Sequence, residues 1–158
     1  MVPESQILSR NDLSSFREDN PDLRIVFTNG CFDILHRGHV MLLEKAKALG
    51  DCLVVGVNTD QSVRRLKGES RPFNAEGDRA FVLLHLGAVD HVTLFDEDTP
   101  LEAIKALRPD VLVKGDEYTK ENIVGADFVE ENGGRVERVK MIDGLSTSVI
   151  IDRIKEDP

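Results

Sequence analysis

The chain has 158 residues, of which 41% are hydrophobic and 31% are charged, a balance typical of one globular domain with an apolar core. Its 20 basic and 29 acidic residues give a net charge of −9, which excludes a broad electrostatic surface for nucleic acid. Two cysteines are too few for a disulfide framework or a thiolate metal site. Because the sequence shows neither a signal peptide nor an apolar stretch of about 20 residues, we expect a cytoplasmic protein without membrane contact.

Strand-like and helix-like apolar patterns alternate along the chain. Residues 1–20 carry Ile7, Leu8, Leu13 and Phe16 at near-helical spacing, which predicts a helical extension over residues 1–22 ahead of a main domain over residues 23–158. Thr99 and Pro100 have the form of a helix cap followed by a first-turn proline. The predicted strands are residues 24–28, 52–57, 89–95, 111–113 and 135–140, and the predicted helices of the main domain are residues 40–49, 74–87, 100–107, 126–131 and 147–155.

Short strands that are apolar nearly throughout, each followed by a helix, indicate a parallel sheet covered on both faces. The predicted fold is therefore α/β: a Rossmann-like, doubly wound sheet of five parallel strands. In such sheets ligands bind beyond the carboxyl ends of the strands, near the point where the strand order reverses. We expect the functional residues directly after strands one, two, four and five.

The densest chemical signal is Thr-Asn-Gly-Cys-Phe-Asp-Ile-Leu-His-Arg-Gly-His at residues 28–39, between the first strand and a helix. The free N–H groups and the dipole of a helix N-terminus bind anions. His36 and His39 lie three residues apart, so both imidazoles can donate hydrogen bonds to one phosphate group, and Gly38 leaves room for it. The alternatives are two histidines that only cap the helix, or a metal pair, which lacks a third ligand nearby and has an unusual spacing.

Three further segments fit a phosphate site. The segment from Arg64 to Pro72, followed by Arg79, concentrates basic charge, which predicts a loop that closes over a triphosphate or, alternatively, an ordinary solvated loop. Lys-Gly-Asp at residues 114–116 follows the fourth strand, where the lysine can reach a second phosphate. Gly-Leu-Ser-Thr-Ser at residues 144–148 places hydroxyl groups at a helix start, where helix capping alone also explains them.

Taken in order, these motifs resemble the His-x-Gly-His nucleotidyltransferase superfamily. The segments most similar to its adenylyltransferase branch of bacterial ADP-heptose synthesis are residues 28–39, Arg-Leu-Lys-Gly-x-x-Arg-Pro at 65–72, Glu-Asp-Thr-Pro at 97–100, Leu-Val-Lys-Gly at 112–115 and Gly-x-Ser-Thr at 144–147. Members of that branch join AMP from ATP to D-glycero-β-D-manno-heptose 1-phosphate. Bifunctional members carry a sugar-kinase domain before the transferase, so the resemblance implies a separate kinase.

The resemblance implies in-line attack by the sugar phosphate on the α-phosphorus of ATP, with Mg²⁺ bound mainly through the ATP phosphates, and a homodimer. Asp33 either helps to hold that ion or fixes the turn after the first strand. The implied catalytic residues are His36, His39 and Lys67. The implied nucleotide-binding residues are Asn29, Gly30, Cys31, Phe32, Asp33, Gly38, Arg71, Arg79, Gly144, Ser146, Thr147 and Ser148, and the implied sugar-phosphate-binding residues are Lys114, Gly115 and Asp116.

Two alternatives remain open on the sequence. The chain can be a cytidylyl- or adenylyltransferase for another phosphorylated acceptor, such as glycerol 3-phosphate, ethanolamine phosphate or FMN. Met141 and Ile142 stand where the glycerol-phosphate cytidylyltransferases have an arginine and a threonine, which argues against that branch. The second alternative is a regulatory module that binds a nucleotide without turnover.

Overall fold

The computed structural model describes residues 4–157, which contain one sheet of five parallel strands in the order β3-β2-β1-β4-β5. The predicted doubly wound α/β fold is confirmed. The strands are β1 (Ile25–Gly30), β2 (Cys52–Asn58), β3 (His91–Phe95), β4 (Val111–Gly115) and β5 (Arg135–Val139). The helices are α1 (Arg10–Asp19), α2 (Arg37–Lys47), α3 (Asp60–Lys67), α4 (Glu76–Leu84), α5 (Leu101–Leu107), α6 (Ala126–Glu131) and α7 (Thr147–Glu156), with short 3₁₀ turns at Glu4–Gln6 and Lys120–Asn122.

Alternate residues of each central strand enter two separate apolar cores, one on each face of the sheet. In β1, Ile25 and Phe27 pack with α1, α5 and α6, whereas Val26 packs with α2 and α4. All three side chains are fully buried. Because both faces are covered, the strand is apolar at successive positions, which is the pattern that predicted a parallel sheet.

The strand order reverses at β1. This strand pairs in parallel with β2 on one side and with β4 on the other. The chain crosses from β1 to β2 and β3 in one direction and then returns to β4 and β5 in the other. The carboxyl ends of β1 and β4 therefore frame the crevice in which such sheets bind ligands.

The N-terminal helix is shorter than its apolar spacing predicts. Ser9 and Asp12 form a reciprocal capping box that begins α1 at Arg10. Ile7 instead forms a parallel bridge with Val92 of the edge strand β3, and Leu8 lies between that bridge and the cap. Residues 1–3 of the predicted helix lie outside the described residues. The helix α1 packs against α5 on one face of the sheet.

The first half of the predicted basic loop is wrong, because it is the helix α3. Thr59 caps this helix by accepting a hydrogen bond from the Ser62 N–H (3.2 Å), and the basic residues at 64, 65 and 67 lie in its last turn. Val63 is its one buried apolar side chain, so the sequence shows no helical apolar period. The loop itself begins at Gly68, whose φ of 103° lies in the region that favours glycine.

Two other helices begin later than predicted. Pro100 is the N-cap of α5 and no side-chain cap hydrogen bond forms, so the capping box expected at Thr99 is wrong. The helix α4 begins at Glu76 rather than at residue 74. Asn74 is instead bound to the turn after β1, where its side-chain amide donates to the carbonyl oxygen of Asp33 (2.6 Å).

Arg17 joins α1 to the start of the sheet. Its buried guanidinium donates to the Asp110 carboxylate (2.9 Å) and to three backbone carbonyl oxygens, those of Asn20, Pro21 and Leu23. The same Asp110 oxygen accepts a hydrogen bond from the N–H of Ile25 (2.7 Å). The first residue of β1 is therefore held beside Asp110, the residue that precedes β4.

We expect Arg17→Ala to lower the free energy of unfolding by about 2 kcal/mol, because a carboxylate and three carbonyl oxygens lose their donor. Urea unfolding followed by circular dichroism measures the difference. Glu18→Ala, at an exposed position of the same helix, is the control and should change the free energy by less than about 0.5 kcal/mol. Equal midpoints for the two variants would contradict this role of Arg17.

Candidate active site

A cleft of about 490 Å³ lies at the carboxyl edge of the sheet. Residues that follow each of the five strands line it, including residues after β3, where we expected no functional residue. The lining residues are Asn29, Gly30, Cys31, Phe32, Asp33, His39, Asn58, Leu66, Lys67, Arg71, Asp98, Thr99, Pro100, Lys114, Glu117, Tyr118, Asn122, Ile123, Val124, Ser146, Thr147 and Ser148.

The two histidines form one stacked unit at the start of α2. His39 lines the cleft, and the His36 ring lies against it with the ring centroids 3.9 Å apart. The Nδ1 of His36 accepts a hydrogen bond from the Gly38 N–H (3.1 Å), and the His36 N–H donates to Nδ1 of His39 (3.3 Å). Since an accepting ring nitrogen carries no proton, each neutral ring carries its proton on Nε2. Capping uses Nδ1 and leaves Nε2–H as a donor for a ligand.

Both imidazoles are neutral at pH 7. Burial lowers the pKa of His36. Burial and the neighbouring His36 lower the pKa of His39 to about 4. The positive charge of the cleft therefore comes from its lysine and arginine side chains, while the histidines contribute N–H dipoles.

Asp33 connects the turn after β1 to the loop after α3. Its side chain is 1% exposed and accepts hydrogen bonds from Nε of Arg71 (2.9 Å) and from the N–H groups of Phe73 (2.9 Å) and Asn74 (2.9 Å). Burial by itself raises the pKa of this carboxyl, but the bonds from Asn74, Phe73 and Arg71 outweigh it and hold the pKa below its ordinary value. Of the two roles considered for Asp33, this geometry favours fixing the turn.

Arg79 lies beneath the cleft and does not line it. Its side chain is 1% exposed, and its guanidinium donates to the carbonyl oxygens of Asn74, Cys31 and Asn58 and to the carboxylate of Asp60. Since every nitrogen of the guanidinium already donates to the protein, this placement does not support the expected contact with nucleotide phosphate. Arg79 instead ties the ends of β1 and β2 to the start of α4.

Lys67 and Lys114 bring two ammonium groups to the cleft. Lys67 ends α3, and within residues 4–157 its Nζ has no hydrogen bond or ion pair. Lys114 lies on β4, donates to the carbonyl oxygen of Asn29 (3.2 Å) and stands 4.7 Å from the centre of the Tyr118 ring. Burial lowers the pKa of Lys114, and the nearby Glu117 carboxylate offsets part of that effect.

The loop after β1 approaches the cleft closely. A Cβ on Gly30 would lie 3.1 Å from the Phe32 ring, and one on Gly38 would lie 2.8 Å from Cε1 of His36. The ring of His36 therefore occupies the space at Gly38 that we expected a phosphate to use. Phe32 is buried with a φ of 49°, a strained backbone conformation for this residue type. Cys31 lines the cleft, and burial raises the pKa of its thiol.

The start of α7 closes one end of the cleft. The Ser146 hydroxyl accepts a hydrogen bond from the Val149 N–H (3.1 Å), and the Thr147 hydroxyl donates to the carbonyl oxygen of Ile34 (3.0 Å). Ser148 also lines the cleft, whereas Gly144 lies outside it and forms the preceding turn with a φ of 76°. The predicted capping role is present, and the cleft-facing position that a nucleotide contact needs is present as well.

The segment after β4 divides into a structural part and a cleft-lining part. Asp116 is exposed, lies outside the cleft and accepts a hydrogen bond from the Met141 N–H (3.1 Å). Gly115 does not line the cleft, and a Cβ there would collide with the Glu117 carboxylate. Glu117 and Tyr118 line the cleft in their place.

Several lining residues lay outside the predicted site. Asn58 is the last residue of β2, so its position at the end of a predicted strand was the one sequence feature that could have placed it in the site. Residues 98–100 belong to the Glu-Asp-Thr-Pro motif at 97–100 but were not assigned to the site, and residues 122–124 carry no motif. The sheet topology brings both segments to the cleft.

Among residues 4–157, no group of three or more His, Cys, Asp or Glu side chains is arranged to hold a metal ion. The carboxylate of Asp33 is already used by the loop at residues 71–74. None of the described helices is long and apolar enough to cross a membrane.

We expect Asp33→Asn to lower the free energy of unfolding by about 1–3 kcal/mol, because an amide NH₂ would face donors that a carboxylate now satisfies. Thermal unfolding measures this loss. Glu69→Gln, an exposed acidic residue of the same loop region, is the matched control and should melt with the wild type. The anchoring role is wrong if both variants melt together.

Known proteins are similar to this chain over most of its length, including the histidine pair. The cytidylyltransferase-like family profile matches residues 27–153. The bifunctional protein HldE of Citrifermentans bemidjiense is 58% identical over 138 residues, which cover 87% of this chain and 28% of that protein. HldE of Campylobacter curvus is 53% identical over 153 residues, which cover 97% of this chain and 32% of that protein. The chain thus spans about a third or less of the length of these relatives.

Solved structures agree with the fold. The lipopolysaccharide core biosynthesis protein of Thermoplasma volcanium superposes with a TM-score of 0.65 at 29% identity, covering 77% of this chain and 99% of that one. A pantoate-beta-alanine ligase of Francisella tularensis superposes with a TM-score of 0.60 at 14% identity, over 94% of this chain and 77% of that one, and shows the fold alone. Since the profile spans the sheet from β1 to α7 with the histidine pair inside it, the chain belongs to the cytidylyltransferase-like family.

Proposed function

We propose that the chain transfers AMP from ATP to D-glycero-β-D-manno-heptose 1-phosphate, giving ADP-heptose and pyrophosphate. The observation that carries nucleotidyl transfer is the stacked pair of His36 and His39, fixed in one tautomer at a helix N-terminus beside the cleft. The choice of acceptor is supported by the ordered motifs and by the relatives named bifunctional protein HldE.

The reaction needs no general base. The acceptor phosphate is ionised at neutral pH, so its oxygen can form the new bond to the α-phosphorus while the bond from that phosphorus to the bridging oxygen of pyrophosphate breaks. A histidine with a pKa of about 4 is a poor proton acceptor at pH 7, which agrees with this scheme. Catalysis then rests on positioning and on stabilising the charge that develops on the phosphates.

The cleft offers separate groups for each part of that task. In our proposal, Nε2–H of His36 and of His39 donates to oxygens of the α- and β-phosphates. Lys67 and Arg71 hold the leaving pyrophosphate, and Lys114 orients the acceptor phosphate. The hydroxyl and N–H groups at residues 146–148 and the loop at residues 29–32 contact the nucleotide, as their cleft-lining positions allow.

The residues present fit magnesium only as an ion held mainly by the ATP phosphates, where it would neutralise phosphate charge. No described cluster offers a metal cage, and Asp33 is already bound by its own loop. We further propose that the protein acts in the cytoplasm, where ATP is abundant, and that it forms a homodimer. In this proposal residues 23–158 are the transferase domain and residues 1–22 are an extension to it.

We expect His39→Asn to lower kcat by about 10²-fold while the unfolding midpoint stays unchanged. The Asn side-chain oxygen can still accept the hydrogen bond from the His36 N–H, but the variant lacks Nε2–H. Steady-state pyrophosphate release measures the rate. His85→Asn replaces an exposed histidine outside the cleft and should keep full turnover. Full turnover in His39→Asn would remove His39 from the transition state.

The acceptor is tested by a screen of four nucleotides against phosphorylated acceptors. A cleft that binds sugar hydroxyl groups rejects acceptors that lack them. We therefore expect kcat/KM for ATP with heptose 1-phosphate to exceed that with glycerol 3-phosphate by at least about 10²-fold, or about 2.7 kcal/mol. CTP should be a poor donor. Comparable rates with CTP and glycerol 3-phosphate would contradict the heptose assignment, and ATP binding without any turnover would favour a regulatory module.

A further inference from the structure

Two cleft-lining segments far apart in sequence are joined by hydrogen bonds from the helix α3. The last turn of α3 brings Leu66 and Lys67 to the lining, and the loop between β3 and α5 brings residues 98–100. Arg65 and Ser62, the α3 side chains that join them, do not line the cleft and are not among the residues assigned to catalysis or substrate binding above.

Arg65 makes the contact at the carboxyl end of α3. Its Nε donates to Oδ1 of Asp98 (3.0 Å), and its terminal nitrogen donates to the backbone carbonyl oxygen of Asp96. At the other end of the helix, the Ser62 hydroxyl donates to the carbonyl oxygen of Glu97 (3.0 Å). The helix α3 therefore contacts each residue from 96 to 98.

The carboxyl end of α3 has little other support. Val63 is its last buried residue, and Leu66, Lys67 and Gly68 are exposed. The next anchored residue is Arg71, which is bound to Asp33. In the described chain between Val63 and Arg71, Arg65 is the one side chain with a hydrogen bond or ion pair to another element.

Helical geometry separates the two basic residues. Residues two apart on a helix do not share a face, so Arg65 can hold the loop while Lys67 faces the cleft. A single exposed ion pair contributes little to global stability, so this contact is better placed to set a local position than to hold the fold.

We propose that Arg65 is a positioning residue, which sets the ammonium group of Lys67 at the cleft by fixing the last turn of α3 to residues 96–98. The inference rests on the proposed function for one point, that Lys67 binds the phosphates of ATP. It gives a role to Arg65 and Asp98, to which the motifs assigned none, because the loop after β3 becomes part of the phosphate site through α3.

A double-mutant cycle tests the proposal. The ATP dissociation constant is measured by titration calorimetry, with Mg²⁺ present, for the wild type, Arg65→Ala, Lys67→Ala and the double variant. We expect Arg65→Ala alone to weaken ATP binding by about 5- to 10-fold, with an unchanged unfolding midpoint. In the Lys67→Ala background the same change should alter the constant by less than about 2-fold, because sites that act through one another are not additive.

Two matched controls test whether the loss of a positive charge, or of another contact to the loop after β3, would by itself weaken ATP binding. Arg64→Ala removes the same charge one residue earlier. Within residues 4–157 the Arg64 side chain has no hydrogen bond or ion pair, and it does not line the cleft. Arg10→Ala breaks an ion pair from α1 to Glu97 of the same loop (2.8 Å) without touching α3. Both should bind ATP within about 2-fold of the wild type. Arg65→Lys keeps one donor for Asp98 and should recover part of the lost affinity.

Each remaining outcome overturns the inference. If Arg65→Ala weakens ATP binding by the same factor in the wild type and in Lys67→Ala, Arg65 acts independently of Lys67. If Arg65→Ala binds ATP as tightly as Arg64→Ala does, Arg65 has no role in positioning. Because the readout is ATP binding, a wild type that binds ATP but transfers it to no acceptor would contradict the proposed function and leave the cycle valid.

Discussion

The buried carboxylate of Asp33 is the constraint on which the site depends. A carboxylate that is 1% exposed must be fully paired, and its partners come from one short segment, residues 71–74. That pairing fixes the loop after α3 against the turn that leads to His36. The histidines and the basic residues of the cleft therefore take their relative positions from one polar group.

A second buried charge completes this arrangement from below. Arg79 donates to carbonyl oxygens at the ends of β1 and β2 and to Asp60 at the start of α3. The apolar cores determine the order and the spacing of the strands, whereas Asp33 and Arg79 determine how the loops beyond them lie. The rim of this sheet is thus organised by charges that the protein itself satisfies.

The sequence was most informative where one residue type has one common explanation. Apolar strands predicted the sheet, and His-x-Gly-His predicted the pair at the start of α2. The sequence was least informative for charged residues, because it does not show whether a basic side chain binds a ligand or a carbonyl oxygen of the protein. Arg71 lines the cleft, whereas Arg79, from the same basic region, donates its hydrogen bonds to groups of the protein itself. The helix α3 was missed because it buries one apolar residue. Residues 98–100 lie in a motif of the resemblance but were not assigned to the site, because no functional residue was expected after the third strand.

The stacking of His36 on His39 also governs how the pair exchanges protons. A bound polyanion raises the pKa of nearby bases, so the pair gains affinity for protons when the cleft holds phosphate. With ring centroids 3.9 Å apart, the first imidazolium disfavours a second beside it. The pair can therefore hold at most one extra proton. Since Nε2 of each neutral ring is already protonated, that proton must bind an Nδ1 atom and displace one of the two hydrogen bonds that begin α2, so the proton affinity of the cleft is coupled to the start of the helix.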